Sequence, residues 1–328
     1  MTVLVSGGAG YIGSHMVLHF CDAGEKVVVV DNLSTGFDWA VDPRATFVRG
    51  DIADRDLVMS LVERHNIDAI VHFAGSIVVP ESVTDPLKYY GNNTCVSRSL
   101  LEAAIASGVK NFIFSSTAAV YGDADSAPLK EDNALEPLSP YGRSKLMTEL
   151  MLADVAAAHP LSFGVLRYFN VAGADPQGRT GQSSKDATHL IKIAVEAANG
   201  SRDQMSIFGQ DYDTPDGTCV RDYIHVSDLV AAHGLLLGHL RSGGGSRTMN
   251  CGYGRGYSVR EVIDVVKKIS NMDFKVMDAP RRAGDSASLV ANSDRLRGEL
   301  NWQPQFDDLE TIARTAFEWE RQLQSKNR

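Results

Sequence analysis

The stretch VLVSGGAGYIGSH, Val3 to His15, followed by VVVVD at Val27 to Asp31, decides the fold of this 328-residue chain. Gly7, Gly10 and Gly13 come straight after a β-branched run and at the mouth of an apolar helix. Glycines there permit a tight turn and let backbone N–H groups approach a pyrophosphate, which also meets the positive end of the helix dipole. Asp31 ends the second run 18 residues past Gly13. Its carboxylate is placed to accept from a ribose 2′-hydroxyl and would repel a 2′-phosphate, so NAD is favoured over NADP.

Outward from this loop the first half alternates. Runs at 3–6, 27–31, 45–50, 68–75, 111–116 and 162–168 predict buried strands, with helices over 54–65, 86–107 and 141–158. That order predicts an α/β fold, a Rossmann-type doubly wound parallel sheet covered on both faces. The second half has loops at 173–187, 209–219 and 280–288 and predicts a smaller α+β substrate-binding domain built mostly from loops and helices. The expected division is 1–170 for the dinucleotide, with a returning segment near 222–252, and 171–328 for the substrate. SGGGS at 242–246 predicts a flexible connection. A second glycine cluster, Gly252, Gly254 and Gly256, precedes Ser258 and Glu261, which predict a capping box and not a second nucleotide loop.

Hydrophobic content of 44%, 22% charge and a net charge of −9 without a basic block describe a globular protein and argue against a nucleic-acid surface. No apolar run reaches the ~18 residues needed to span a bilayer, and MTVLVSGGAG lacks a basic leader. Cys21, Cys95, Cys219 and Cys251 are scattered, which predicts reduced thiols in a cytoplasmic protein. His15 and His19 lie one helical turn apart without a third candidate ligand nearby, so helix packing and no metal is expected.

The remaining signal is SPYGRSK, Ser139 to Lys145. Tyr141 and Lys145 share a helical face, a spacing that is frequent by chance and gains meaning only beside a cofactor. NFIFSSTAAVYG puts Ser115, Ser116 and Thr117 at the carboxyl end of the fifth strand, where ligands bind in open α/β sheets. With Gly-x-x-Gly-x-x-Gly, DNLSTG, GDI, HFAG, SSTAAVYG, Tyr141-x-x-x-Lys145, LRYFNVAGAD, VRDYIHVSDL and APRRAGD in order, the chain resembles the extended short-chain dehydrogenase/reductases over nearly its whole length. Within them it looks like the branch of UDP-glucose 4-epimerases, also called UDP-galactose 4-epimerases.

That resemblance implies an NAD-dependent isomerase that interconverts UDP-glucose and UDP-galactose through a 4-keto sugar, with NAD tightly held, acting as a homodimer. It implies Tyr141 as the base for the sugar 4-hydroxyl, Thr117 as hydrogen-bond partner of the 4-oxygen, and Lys145 orienting the nicotinamide ribose. A free phenol titrates near ~10, and a cation within ~4–6 Å lowers it by about 1–3 units. Lys145 and a positive nicotinamide together would bring Tyr141 towards ~7. For the cofactor the family pattern adds Tyr11, Ile12, Asn32, Leu33, Ser34, Thr35, Gly36, Asp51, Ile52, Phe73, Ala74, Gly75, Asn92 and Tyr168 to Gly7, Gly10, Gly13 and Asp31. For the UDP-sugar it names Phe169, Asn170, His189, Phe208, Arg221, Arg282, Asp285 and Leu289, the arginines offering planar donor forks to a diphosphate. A local ion pair between Arg221 and Asp222 is the bland alternative.

Three positions depart from the family pattern. Ile77 replaces a lysine near the cofactor, His189 replaces a substrate-binding asparagine, and Leu289 replaces a residue lining the hexose pocket. Ala118 and Ala119 follow Thr117 where the sugar-nucleotide dehydratases carry an acidic pair, which removes that reaction. UDP-xylose/UDP-arabinose and UDP-N-acetylglucosamine 4-epimerisation stay as alternatives, and a non-catalytic NAD-binding module would have little reason to keep Thr117, Tyr141 and Lys145 together. Leu100, Leu101, Ile105, Met147, Leu150 and Met151 recur at helical spacings and are the expected dimer contacts.

Overall fold

A computed structural model describes residues 1–123, 128–184, 187–282 and 285–326. The glycine loop joins β1 (Thr2–Ser6) to α1 (Tyr11–Asp22), which returns to β2 (Lys26–Asp31) and on to β3 (Thr46–Arg49). The chain then crosses back through α2 (Arg55–His65) to β4 (Ala69–His72), α3 (Val79–Thr84), α4 (Pro86–Tyr89), α5 (Val96–Ala106) and β5 (Asn111–Thr117). From there α6 (Pro140–Ala158) leads to β6 (Ser162–Tyr168) and β7 (Asn170–Ala172). The second half holds α7 (Leu190–Ala198), β8 (Gln204–Phe208), β9 (Val220–His225), α8 (Val226–Arg241), β10 (Arg247–Cys251) and β11 (Gly256–Ser258). It closes with α9 (Val259–Ser270), β12 (Lys275–Ala279), β13 (Ser288–Leu289), α10 (Asp294–Leu300) and α11 (Leu309–Lys326).

Seven strands form one parallel sheet in the order β10-β6-β5-β4-β1-β2-β3. Every residue of β1, β4 and β5 is buried, which is why their sequences run apolar instead of alternating. One face packs on α1 and α8 through Met16, Val17, Phe20, Leu229 and Leu236, the other on α2, α5 and α6 through Val58, Leu61, Leu100 and Leu152. Strand order reverses between β1 and β4, so a crevice opens at their carboxyl ends. β10 arrives from the second half and pairs with β6.

Four expectations need correction. The helix expected over 86–107 is interrupted by a π turn at Tyr90–Cys95, which turns Asn93 inward. SGGGS is a helix stop and not a flexible connection. Ser242, Gly243 and Gly244 donate to Gly238, Leu240 and His239 carbonyls, and the Ser246 hydroxyl accepts from Phe163 N. Leu100 and Leu101 belong to the monomer core at 0% and 2% exposure, so their spacing reflects burial and not a dimer contact. The second half also holds more strand than expected: β9 pairs with β7, β11 and β13, and β8 pairs with β12. Strands of two to six residues leave too short a pattern to read. Ser258 and Glu261 do form a capping box at the start of α9. Among the described residues no helix is long and apolar enough to cross a membrane.

Candidate active site

A cavity of about 1280 Å³ lies along the carboxyl ends of β1, β4 and β5 and continues towards β8, β9 and β13. At its first end Gly7 takes a left-handed φ of +70°, and a Cβ there would sit 2.7 Å from Ala74 N. A Cβ on Gly13 would lie 2.1 Å from the Gly7 carbonyl, so the turn and helix meet only because both side chains are absent. Gly10 caps α1 without a side-chain hydrogen bond, which leaves the first-turn amides of Tyr11, Ile12 and Gly13 without intrahelical acceptors. An anion is the partner such a helix end accepts. Asp31 is fixed by two amides, Ala9 N to Oδ2 at 2.9 Å and Leu33 N to Oδ1 at 2.8 Å, and its carboxylate borders the cavity. This donor and acceptor set fits a dinucleotide.

Of the residues expected at the cofactor, Leu33 and Gly36 do not line the cavity, whereas the others do. Leu33 serves through its amide on Asp31, and Gly36 through contact with Ala9, whose carbonyl would lie 2.7 Å from an added Cβ. Asn92 donates to Ser76 Oγ at 2.8 Å. Ile77 borders the cavity at 51% exposure, an apolar side chain where the family pattern has an ammonium.

At the centre stand Thr117 and Tyr141. Ser139 caps α6 by accepting from Gly142 N at 3.2 Å, and Pro140 presets the first turn, which delivers Tyr141 to the cavity wall. Thr117 ends β5; its hydroxyl accepts from Ala119 N at 3.1 Å and hydrogen-bonds the Tyr141 phenol. Burial pushes the Tyr141 phenol up from its ordinary value, with Thr117 working against the rise. The hydrogen bond of Lys145 goes elsewhere. Its ammonium donates to the Ser115 carbonyl at 3.0 Å and lies 4.9 Å from the Phe114 ring centre. The chain by itself therefore keeps Tyr141 protonated, and lowering it requires the positive charge expected from the nicotinamide. Tyr168 meets the Ser115 hydroxyl on the adjoining strand.

The far end is built for a larger polar ligand. Arg221 is held by carbonyl contacts, Nη1 to Val220 O at 2.9 Å, and not by Asp222. Asp222 instead accepts from the amides of Tyr253, Gly254 and Ala291, which removes the local ion pair as an account of Arg221. Burial pushes the Asp222 carboxyl up to about 6. Arg281 and Arg282 part ways: Arg281 binds Asp211 at 2.7 Å and stacks on Tyr212, while Arg282 stacks 3.6 Å over Phe208 and faces the cavity. Ala283 and Gly284 of the same motif lie outside the described residues. Leu289 stands opposite Arg221 in the β9–β13 pair and packs with Phe169, Ala118 and Ala291. His189 caps α7, with Nδ1 2.9 Å from Gln182 Nε2, and burial lowers its pKa. Phe169, Asn170 and Asp285 also line this end.

Sequence reasoning missed Gln182, Arg202, Gln204 and Cys219, all at the cavity wall. They sit in or beside irregular loops, where no periodicity marks a facing side chain.

The chain matches the NAD dependent epimerase/dehydratase family over residues 3–252. It is 55% identical to a UDP-glucose 4-epimerase of Azospirillum brasilense over 98% of this chain and 92% of that one. Among solved structures it is similar to the UDP-glucose 4-epimerase of Brucella ovis in complex with NAD, with TM-score 0.94, 45% identity and 97% of each chain covered. It is also similar to the UDP-Glc/GlcNAc 4-epimerase of Campylobacter jejuni, with TM-score 0.85, 49% identity and coverage of 98% and 99%. Its glycine loop, its crevice at the strand reversal and these matches agree: the chain belongs to the NAD dependent epimerase/dehydratase family.

Proposed function

We propose that the protein is an NAD-dependent isomerase that interconverts UDP-glucose and UDP-galactose by inverting C4 through a 4-keto sugar. The observation that carries this is one cavity holding a dinucleotide cradle at one end, Arg221 and Arg282 at the other, and the hydrogen-bonded Thr117–Tyr141 pair between them. Gly7, Gly10, Gly13 and the first-turn amides would hold the pyrophosphate, Asp31 the adenosine ribose, and Asp51 with Ile52 the adenine. When bound, NAD supplies a reversible hydride acceptor for C4.

The chain's own residues do the rest. Tyr141 takes the proton of the 4-hydroxyl and returns it to the 4-oxygen after the sugar has presented its other face. Thr117 hydrogen-bonds that oxygen and aligns the phenol. Lys145 holds the nicotinamide ribose. Arg221 and Arg282 clamp the diphosphate, each as a planar fork of donors. Ala118 and Ala119 line the cavity beside Thr117, so no carboxyl there can protonate a leaving 6-hydroxyl. Overall the division of labour follows residues 1–170 with 222–252 for NAD and 171–328 for the UDP-sugar. The unbonded cysteines accord with a cytoplasmic enzyme. A homodimer would cover an apolar face on α3, α4 and α6, where Val83, Leu87, Met147 and Leu150 are 54%, 79%, 42% and 57% exposed. UDP-N-acetylglucosamine is the second candidate substrate, favoured by the likeness to the Campylobacter jejuni enzyme.

The deciding experiment incubates the protein as purified, without added NAD, with UDP-galactose and follows the product by NMR. UDP-glucose should appear, and Tyr141→Phe should lower turnover by at least ~10² while retaining its nicotinamide absorbance. Near-full activity of that variant would exclude Tyr141 as the base.

A further inference from the structure

A buried ammonium is unstable unless a negative charge faces it. Lys145 is 4% exposed, and the Ser115 carbonyl that accepts its hydrogen bond and the Phe114 ring beside it carry no formal charge. Glu149 is the carboxylate placed beside it, one helical turn further along α6 and also buried, and the two side chains bind consecutive residues of β5, Lys145 the Ser115 carbonyl and Glu149 the Ser116 hydroxyl. Glu149 is fixed in place. Arg167 on β6 grips both of its oxygens, Nη2 to Oε2 at 2.6 Å and Nε 3.1 Å from each, and Ser116 donates to Oε1. Arg167 also donates to the Tyr121 hydroxyl at 3.0 Å, and Tyr121 to Asn250 Oδ1 at 2.6 Å, so the network runs beneath the cavity floor to β10.

We propose that Glu149 is a positioning residue for Lys145, the fixed negative charge that keeps this ammonium protonated at the cavity floor. The proposal rests on the reading of Lys145 given above. The other titratable groups around it are His72 on β4, Tyr121 after β5, Tyr168 on β6 and Tyr141 on α6. Burial, with Lys145 itself, takes His72 down to about 3, and burial takes the three phenols up, so all four are neutral near pH 7. The charge on Arg167 is matched by Glu149. Burial lowers Lys145 to about 8, and Glu149 opposes that fall. A purely structural anchor would not need the charge, because a neutral amide can accept from Ser116 and Arg167 as well.

The test uses the NAD-loaded enzyme. Glu149→Gln/Arg167→Met removes both charges of the pair together, so that Arg167 is not left buried without its carboxylate while Lys145 loses the charge that faces it. Selective ¹³C labelling at lysine Cε, with the Lys145 signal assigned by its loss in Lys145→Arg, follows the ammonium by NMR without reference to turnover. The Lys145 titration midpoint and the alkaline limb of kcat should both move down by about one pH unit in the double variant. Glu149→Asp keeps the charge and retracts it by one methylene, so it should move both in the same direction by less. An unchanged Lys145 midpoint in the folded double variant overturns the proposal. Should the double variant not fold, Glu149→Asp decides in the same way. A parent protein without epimerase activity would overturn the functional reading, and the NMR titration would still decide the role of Glu149.

Discussion

Leu289→Ser probes what sets the size of the sugar. Leu289 is half-buried in the short β13, opposite Arg221, where it packs against the cluster that includes Phe169 and Ala291 and also lines the cavity. An N-acetyl group in place of a hydroxyl adds a few heavy atoms. Forcing even a few methylenes into a packed wall disfavours binding by ~1–3 kcal/mol. At 1.4 kcal/mol per factor of ten, the parent should handle N-acetylated sugars roughly tenfold to a hundredfold less well than UDP-galactose. Serine removes most of the branched side chain. Because Leu289 is only half-buried, the loss of stability should be about 1–2 kcal/mol, at or below the low end for a fully buried leucine. The assay is kcat/KM for UDP-galactose and for UDP-N-acetylgalactosamine on parent and variant, with thermal melting as a check on folding. The ratio should move at least about tenfold towards the N-acetylated sugar, mainly because that sugar improves. Equal parent efficiency on both sugars, or an unchanged ratio in a folded variant, would refute the reasoning.

Two further outcomes follow from the structure. Sedimentation at micromolar concentration should give a dimer, and Leu150→Glu with Leu87→Glu should give a folded monomer; a monomeric parent would refute the apolar face as an interface. Melting temperature should fall between pH 7 and pH 5. His15 and His233 are lowered to about 4, and His72 and His225 to about 3, mainly by burial. Each takes up its proton near ~6.5 when unfolded, so the stability it lends is complete above that value and is lost as pH falls towards the folded pKa. Asp222, raised to about 6, and Asp228, also raised by burial, work in the opposite sense, but burial lowers His19 and His189 as well, so two carboxyls stand against six histidines. A melting temperature that stays flat over this range would contradict the linkage.

The sequence made the dinucleotide end legible because its requirements are local. Gly7 and Gly13 are needed for backbone approach within a dozen residues, and Asp31 for a hydroxyl at the end of the next strand. Tyr141 and Thr117 drew notice by helical spacing and by a place at a strand end, but it was the family resemblance that implied a role for each. What escaped depends on contacts distant in sequence. Glu149 looks like an ordinary charge on a helix until Arg167 meets it from β6. Arg281 and Arg282 are neighbours of identical type, and only Asp211 and Tyr212 separate the structural one from the one facing the cavity. The π turn at Tyr90–Cys95 leaves no compositional mark, and the buried Asn93 within it finds its hydrogen-bond partners at Ser76 and Ser144, far off in sequence.

The position of β10 has a consequence for how the chain is made. Synthesis releases β6 by Tyr168, yet the strand that pairs with its free edge does not begin until Arg247. Until then the nascent sheet ends in an open row of backbone donors and acceptors, apart from whatever transient partner it meets. The edge of β6 therefore gains its native partner only after α8 and β10 have left the ribosome, so completion of the nucleotide-binding sheet waits on the second half of the chain.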